Sequence, residues 1–255
     1  MKRLIVNADD FGRTPGVNAG IFEAHAAGIV TSATVMVLEP SAARGIRDAA
    51  ERCGSVSLGV HVTLTGGGLP ASAARAVPTL APGGRFPRTA GDLPRRIPEA
   101  EVRAELEAQI EIFQVLARRP PTHLDSHHHA ARHPDVAPVF AAVARERSLP
   151  VRAVDDADRN ALHEAGVCTP DRFFGGFYGP DVRRATLEGI LALLPDGVSE
   201  LMCHPARVDE ALRRGSRYAD ERDLEREVLC DTTLPPLIRS LGIELVGFER
   251  VAPKR

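Results

Sequence analysis

Short runs of Val, Ile and Leu alternate along this chain with longer segments in which apolar residues recur at helical spacing. Repeated strand–helix units of this kind build a parallel sheet whose faces are covered by helices. The predicted strands are Leu4–Ala8, Ala33–Leu38, Ser57–Leu64, His123–His127, Val151–Val154, Glu200–Cys203 and Glu244–Phe248. The predicted helices are Gly16–Ala27, Ala42–Arg52, Ala100–Ala117, Val136–Arg147, Asp181–Leu194 and Glu221–Leu241. We therefore expect an α/β fold in which residues 1–255 form a single domain, a distorted or incomplete (β/α) barrel with parallel strands.

The composition and charge of the chain exclude several classes of protein. Apolar residues make up 44% and charged residues 26%, which is ordinary for a globular enzyme and unlike a disordered chain. The 32 basic and 34 acidic residues are spread along the sequence, so no basic patch predicts a nucleic-acid partner. No apolar run approaches the roughly 18 residues of a membrane span, and the N-terminus has no signal-peptide core. The 4 cysteines lie far apart without a CxxC pair, so we expect a cytoplasmic protein with reduced thiols.

The segment 65–98 is rich in Gly, Pro and Arg and shows no sustained periodicity. Loops of this length are uncommon inside a domain unless they are functional or disordered. Because this loop follows the predicted strand that carries His61, we expect it to form a lid or a substrate-binding wall over the active-site face. Arg85 is its candidate substrate contact. A flexible insertion without a role is the alternative.

Polar side chains that can carry chemistry lie at the C-terminal ends of four predicted strands. Asp9 and Asp10 follow the first strand, and His61, His127 and His204 lie at the ends of three others. The C-terminal ends of parallel strands converge on one face of a β/α fold, and active sites form on that face. We therefore expect these five side chains to share one site.

Asp9 and Asp10 raise a geometric question, because adjacent residues on a regular strand point to opposite faces. Both can serve one site only if the strand stops at this point. Asn7, Gly12 and Pro15 predict such a stop, followed by a helix. The alternative is that one aspartate only caps the turn or the helix.

His61 shares a strand face with Gly59 and Thr63, while the intervening positions are Val and Leu. The imidazole should therefore emerge from the small and polar side of its strand. The alternative is a core histidine that is simply hydrogen-bonded.

The segment 123–129 reads HLDSHHH and is the densest signal in the sequence. In an extended chain, the side chains of His123, Asp125, His127 and His129 all fall on one face. A carboxylate beside a histidine is the usual arrangement that orients a metal-binding imidazole. We therefore predict metal binding here, with a polar tract on a solvated edge as the alternative. His128 is expected to be an ordinary surface residue.

Asp10, His61 and His127 together predict one divalent metal ion. Three protein ligands leave coordination positions open for water, which is typical of a catalytic site and not of a structural zinc site. The two imidazoles suit zinc, whereas a carboxylate with waters also suits magnesium. Histidine ordinarily titrates near neutral pH, so His204 is a candidate general acid. A rival interpretation makes Cys203 a nucleophile with His204 as its base, but neighbouring strand residues point apart.

Five motifs, in this order between residue 1 and about residue 248, are similar to those of a known family. They are NADDFG (Asn7–Gly12), LGVHVTL (Leu58–Leu64), THLDSHHH (Thr122–His129), FYG (Phe177–Gly179) and MCHP (Met202–Pro205). With them the chain resembles the YdjC-like carbohydrate deacetylases, which include chitooligosaccharide deacetylases and hopanoid-associated sugar deacetylases.

The resemblance implies a distorted β/α barrel, a divalent metal ion and hydrolysis of the N-acetyl group of an amino sugar. It also implies a possible homodimer. Carried over motif by motif, Asp10, His61 and His127 become the metal ligands. Asp9 becomes the general base, and His204 becomes the acid.

One position departs from the family's pattern. Family members often have a further His two residues after the histidine run, where this chain has Ala131. This difference affects the expected substrate more than the expected reaction. The candidates for substrate contact are Arg85, Asp125, His129, Tyr178 and the stretch Arg217–Arg222.

Two other functions stay open at this level. A metal site with one Asp and two His ligands does not determine which type of bond is cleaved. A metal-dependent phosphoesterase or a non-sugar amidase is therefore an alternative. A catalytically silent protein that binds sugar or metal is the other. The presence of Asp9 and His204 argues against the silent protein.

Overall fold

Seven parallel strands form one curled sheet in the computed structural model, which describes residues 1–251. The strands are β1 (Lys2–Phe11), β2 (Ser32–Val35), β3 (Ser57–Val62), β4 (Leu124–Ser126), β5 (Arg172–Phe174), β6 (Gly197–Cys203) and β7 (Ile243–Leu245). The helices are α1 (Pro15–Ala26), α2 (Ala42–Arg52), α3 (Glu99–Ala117), α4 (Ala137–Glu146), α5 (Asp156–Glu164), α6 (Arg184–Leu193), α7 (Glu210–Gly215), α8 (Asp220–Leu229) and α9 (Leu234–Ser240). Within these residues the strand order is β4-β3-β2-β1-β6-β5, and β7 pairs with the first half of β1. The predicted incomplete barrel is confirmed as an open half-barrel.

One predicted strand is wrong and another was missed. The segment Val151–Val154 forms only a single bridge between Val151 and Leu124. The backbone N–H groups of this segment bond to two different segments of the chain. Val151 donates to the carbonyl of Cys168, and Arg152 donates to the carbonyl of Leu124. The missed strand is β5, which is only three residues long and follows the region where a strand was predicted.

The predicted helix Glu221–Leu241 is two helices, α8 and α9. Pro235 and Pro236 lie in the first turn of α9, where the missing N–H groups cost nothing. In the middle of a continuous helix the same prolines would remove hydrogen bonds and clash with the preceding turn. The chain therefore breaks after Leu229.

The two faces of β1 pack against different surroundings. Leu4, Val6 and Ala8 belong to the main core, which also contains buried residues of α1 and α2. Ile5 lies on the other face, in a small cluster with Val198, Val246, Phe248 and Val251. This apolar cluster lies on the concave face of the sheet. The polar residues Asn7 and Asp9 follow Ile5 on the same face of β1.

The loop 65–98 is held in place by α3. It contains three short 3-10 helices and buries Leu80 and Phe86. Glu101 and Glu105, both buried on α3, each accept two backbone N–H groups of the loop at 2.8–2.9 Å. Carboxylates of a rigid helix thus replace the sheet or helix partners that the loop backbone lacks. Across residues 1–251, no helix has the length and apolar character needed to span a membrane.

Candidate active site

Asp9 and Asp10 reach the same site through a bulge and not through the end of the strand. β1 continues to Phe11, but its register with β2 shifts between Ala8 and Phe11. Asp10 has a φ of 66°, a left-handed conformation that costs a non-glycine residue on the order of 1–3 kcal/mol. Ala8 and Phe11 both pack into the main core, so the two aspartates between them both face the interior. The expectation that the strand stops at Asp9 is therefore wrong.

Asp10, His61 and His127 form a buried cluster that could hold a metal ion. One ligand atom from each lies within 4.8 Å of the others. Oδ1 of Asp10 is 3.3 Å from Nε2 of His61 and 3.1 Å from Nδ1 of His127, yet it makes no hydrogen bond of suitable geometry with any residue in 1–251. Its partner Oδ2 is bound by Arg13 at 3.0 Å and by Arg222. A buried acceptor without a donor, facing two imidazole nitrogens, fits a cation.

The second nitrogen of His61 is fixed by Asp125. Nδ1 of His61 lies 2.7 Å from Oδ1 of Asp125, and Thr34 donates to the other oxygen of Asp125 at 3.0 Å. Donation from Nδ1 turns Nε2 toward Asp10 as a ligand. Burial lowers the pKa of His61, but the charge of Asp125, the nearby carboxylate of Asp10 and the hydrogen bond to Asp125 outweigh it and raise the pKa to about 10. The same negative field favours a cation between these groups.

Asp9 is bound from one side by a buried arginine. Arg152 donates to both carboxylate oxygens of Asp9, at 2.6 and 2.7 Å, and Asn7 donates to one of them at 2.9 Å. Burial raises the pKa of Asp9, but Arg152 outweighs it and holds the pKa well below its usual value. Asp9, His61 and Asp125 also have ligand atoms close together, but Asp9 and Asp125 are both occupied by Arg152. Asp9 is therefore ionised and separate from the cation cluster.

Sequence reasoning missed Arg152 and its second partner, Glu200, which accepts from Nε of Arg152 at 2.7 Å. Both residues are buried. A signal was available, because Arg152 stands between apolar residues of a predicted strand and Glu200 begins another predicted strand that is otherwise apolar. Charges in such positions are almost never buried without a partner.

His204 lies beside Asp9 and is neutral at pH 7. Its Nε2 is 3.9 Å from Oδ2 of Asp9, and its Nδ1 makes no hydrogen bond within the described chain. Glu225 accepts the backbone N–H of His204 and has an oxygen 3.8 Å from Nδ1. Burial and the charge of Arg222 lower the pKa of His204 to about 3. The imidazole can therefore accept a proton before it donates one.

Cys203 points away from this site. Its thiol belongs to the main core and donates to the carbonyl of Asn7 at 3.3 Å. Burial raises the pKa of Cys203 well above its usual value, so the thiol stays protonated. The geometry therefore does not support a cysteine nucleophile activated by His204.

A cavity of about 750 Å³ opens over these residues. Its wall includes all five side chains predicted from the strand ends, namely Asp9, Asp10, His61, His127 and His204. Of the predicted substrate contacts, His129 and Tyr178 line this cavity. Asp125 does not, because it is buried behind His61. Within the described residues, Arg85 also lies outside the cavity wall and donates to the carbonyl of Gly67, while Arg88 of the same loop lines the cavity.

The stretch Arg217–Arg222 divides between two roles. Arg217 and Arg222 both line the cavity, but Arg222 is buried and binds Asp10 through Nη2, while its Nη1 has no hydrogen-bond partner within residues 1–251. Tyr218, between them, stacks on Tyr178 with ring centroids 4.1 Å apart. The Tyr218 hydroxyl donates to Glu225 and accepts the N–H that follows Tyr178. Sequence reasoning missed this aromatic pair, because its members are 40 residues apart in a chain with 2 tyrosines.

The histidine run is not an extended strand. β4 ends at Ser126, and His127 begins a 3-10 turn in which His128 and His129 have φ values of 54° and 52°. The expectation of one common face for the whole segment is therefore wrong beyond Ser126. His128 is exposed, as predicted, and it also lines the cavity, with its Nδ1 3.0 Å from the hydroxyl of Thr65.

The chain is similar to known proteins over nearly its whole length. A family model described as YdjC-like protein matches residues 3–240. A carbohydrate deacetylase from Thermoanaerobacter pseudethanolicus is 38% identical over 252 residues, which cover 97% of this chain and 98% of that protein. A chitooligosaccharide deacetylase from Proteus mirabilis is 38% identical over 257 residues, covering 96% of this chain and 97% of that protein. A crystal structure from Enterococcus faecalis, of a protein suggested to cleave cellobiose phosphate, has a TM-score of 0.92 at 33% identity and covers 99% of both chains. This chain therefore belongs to the YdjC-like protein family.

Proposed function

We propose that this protein is a hydrolase that removes the N-acetyl group from an amino sugar or a short amino-sugar oligomer. The observation that carries the proposal is the unbonded Oδ1 of Asp10, which faces His61 and His127 in the wall of a cavity of about 750 Å³. Asp9 and His204 line the same cavity, so a cation site and two proton-carrying groups lie together. Relatives that cover the whole chain are named carbohydrate and chitooligosaccharide deacetylases, which supports an acetylated sugar as the substrate.

We further propose that one divalent ion, zinc or magnesium, is held by Asp10, His61 and His127. When bound, such an ion supplies a Lewis acid that polarises a carbonyl and lowers the pKa of a water molecule. The chain itself prepares the three donors. Two arginines bind the outer oxygen of Asp10 and leave the inner one free, and Asp125 orients His61.

Asp9 and His204 carry the protons in this scheme. Asp9 is ionised, so it can accept a proton from the attacking water. Its lowered pKa makes it a weak base that releases this proton again readily. His204 is neutral in the resting protein, and its Nε2 is 3.9 Å from Oδ2 of Asp9. A proton taken up by Asp9 can therefore pass through His204 to the departing amine, since one water molecule or a small side-chain rotation bridges this distance.

The cavity fits a sugar in both size and lining. A volume of about 750 Å³ lies within the range of ligand pockets, roughly 300–1,000 Å³. Tyr178 lines the cavity and is stacked on Tyr218, which provides a flat apolar surface for one face of a sugar ring. His129 and Arg88 line other parts of the wall and can bond to hydroxyl groups.

Incubation of the metal-loaded protein with four compounds tests this function. The compounds are N-acetylglucosamine, diacetylchitobiose, an N-acetylated amine that is not a sugar, and a sugar phosphate monoester. We expect acetate and free amine in equal amounts from the acetylated sugars and no phosphate from the ester. Asp9→Asn should lose this activity, while Asp156→Asn, at an exposed position of α5, should retain it.

The other outcomes identify the alternatives. Phosphate release without acetate would make the protein a phosphoesterase, and faster release from the non-sugar amide would make it a general amidase. Tight binding of acetylated sugar without acetate release would make it a silent binding protein. The homodimer implied by the family resemblance stays a prediction, which analytical ultracentrifugation can test.

A further inference from the structure

A second cavity, of about 270 Å³, lies beside the proposed metal ligands. It opens where β2 and β3 end and the loop 65–98 begins, and it shares Arg13, Gly66 and His127 with the larger cavity. Glu39, Thr63 and Thr65 contribute polar groups to its wall, and the apolar part of the wall is formed by four residues, Met36, Leu38, Leu69 and Pro70. None of these four residues takes part in the proposed metal binding or proton transfer.

The second cavity and His204 flank the cation cluster on opposite sides. In the strand order β3-β2-β1-β6, the cavity lies at the ends of β3 and β2, and His204 follows β6 on the far side of β1. Asp10 lies between them, at the bulge of β1. Consider a substrate amide whose nitrogen faces His204 and whose carbonyl lies at the cation cluster that contains Asp10. Its acyl chain then lies on the side of the second cavity.

The shape of a secondary amide predicts the same direction for the acyl chain. The amide group is planar and trans, and its two flanking carbon atoms lie on opposite sides of the C–N bond, about 3.8 Å apart. If the sugar occupies the larger cavity and the carbonyl lies at Asp10, the acyl chain extends away from the sugar. The apolar part of the second cavity's wall, at Met36, Leu38 and Leu69, then receives it.

An acetyl methyl group is too small to account for the volume of this cavity. A water molecule occupies about 30 Å³ in the liquid, so about 270 Å³ has room for several carbon atoms beyond one methyl group. We propose that the second cavity is an acyl subsite and that the enzyme also removes N-acyl groups longer than acetyl, such as propionyl and butyryl, from amino sugars. This proposal rests on the proposed deacetylase function. The reaction is the same hydrolysis: water supplies the oxygen of the new C–O bond, the C–N bond breaks, and a carboxylate and a protonated amine are released.

A series of glucosamines acylated with acetyl, propionyl, butyryl and hexanoyl groups tests the subsite. The kcat/KM of the metal-loaded protein is measured from the release of free amine. Leu69→Trp narrows the cavity at a leucine that is already exposed, so this variant should fold. Leu193→Trp makes the same change at an exposed leucine at the end of α6, outside both cavities, and serves as the matched control. Calorimetric titration with butyrate and with acetate provides a readout that does not depend on turnover.

We expect butyryl to be removed with a kcat/KM within about tenfold of that for acetyl, because each buried methylene group contributes up to roughly fourfold in affinity. Leu69→Trp should lower the butyryl-to-acetyl ratio by about tenfold or more and should weaken butyrate binding, whereas Leu193→Trp should change neither. A wild-type preference for acetyl of more than about a hundredfold would overturn the subsite. Equal losses on acetyl and butyryl in Leu69→Trp would also overturn it. If no acylated sugar, including the acetyl compound, is hydrolysed, the proposed function fails and the subsite fails with it.

Discussion

Arg152 binds both carboxylate oxygens of Asp9, with nitrogen–oxygen distances of 2.6 and 2.7 Å, and both side chains are buried. The same guanidinium bonds to Glu200 at 2.7 Å and lies 3.0 Å from Asp125. One arginine thus contacts three buried carboxyl groups. One of these belongs to the proposed catalytic pair, and another orients a proposed metal ligand. The charge that fixes Asp9 therefore also holds together the polar interior of the half-barrel.

Replacing Arg152 with Gln should cost about 3–5 kcal/mol of unfolding free energy, because it leaves buried carboxylates without their counterion. The matched variant Arg172→Gln removes an exposed partner of Asp156 and should cost about 1 kcal/mol or less. Urea denaturation of both variants at pH 7 measures the difference. Equal losses would show that the buried network contributes no more than a surface ion pair.

Replacing Asp10 with Ala should abolish both the metal content and the activity, because Asp10 supplies the only carboxylate of the proposed ligand set. Asp9→Asn should retain the metal but lose turnover by about 10²–10⁴-fold, the usual contribution of a general base. Metal content after dialysis and acetate release are measured on the same samples. An Asp10→Ala protein that works without bound metal would discredit the ligand assignment.

Replacing Asp125 with Asn should weaken metal binding by about 10–100-fold, because the charged acceptor that orients His61 is lost. Competition with a chelator of known affinity measures the change. Asp156→Asn is the control, since Asp156 is exposed and does not belong to the cluster. An unchanged affinity in Asp125→Asn would mean that His61 is held in place without this carboxylate.

His123 should make the protein less stable in acid. It is buried, stacked on Phe248, and burial together with the charge of Arg152 holds its pKa well below 6.5. The unfolded chain therefore takes up a proton that the folded protein does not, so the unfolding free energy falls as the pH falls below about 6.5. Between pH 7.5 and 5.0 this group alone lowers the unfolding free energy by at most about 2 kcal/mol, the limit for an imidazole that stays neutral in the folded protein.

His123→Gln should remove that part of the pH dependence. Urea denaturation of the variant and of the natural protein at the two pH values measures it. The quantity compared is the change in unfolding free energy between the two pH values and not the absolute unfolding free energy. A general destabilisation of the variant therefore does not obscure it. The same loss in both proteins would contradict the assignment.

The convergence of Asp10, His61 and His127 could be predicted because it depends on two regular properties of the chain. Side chains alternate along a strand, and parallel strands carry their C-terminal ends to one edge. The small and polar face of β3 was visible in the same way, since Gly59 leaves space that the ring of His123 fills. Local pattern and topology were sufficient for this part of the site.

The contacts that orient these groups could not be predicted in this way. Arg152 and Asp9 are 143 residues apart, and nothing in either segment specifies the other. The predicted strand Val151–Val154 is reduced to a single bridge because its backbone hydrogen bonds go to two different segments. Which segments lie beside it is decided by the tertiary fold. The aromatic pair Tyr178 and Tyr218 brings together a loop after β5 and a loop before α8, neither of which has a periodic pattern. Partner identity in such contacts is a property of the assembled fold.

The bulge at Asp10 has a consequence for how this segment can change. Because one extra residue between Ala8 and Phe11 restores the alternation of the strand, the length of the segment matters as much as its side chains. Deleting one residue there would remove the bulge: Phe11 would stay on the core face opposite Val35, and only one of the two carboxylates would remain between it and Ala8. Single-residue insertions and deletions in this stretch should therefore be far more damaging than conservative substitutions at the same positions.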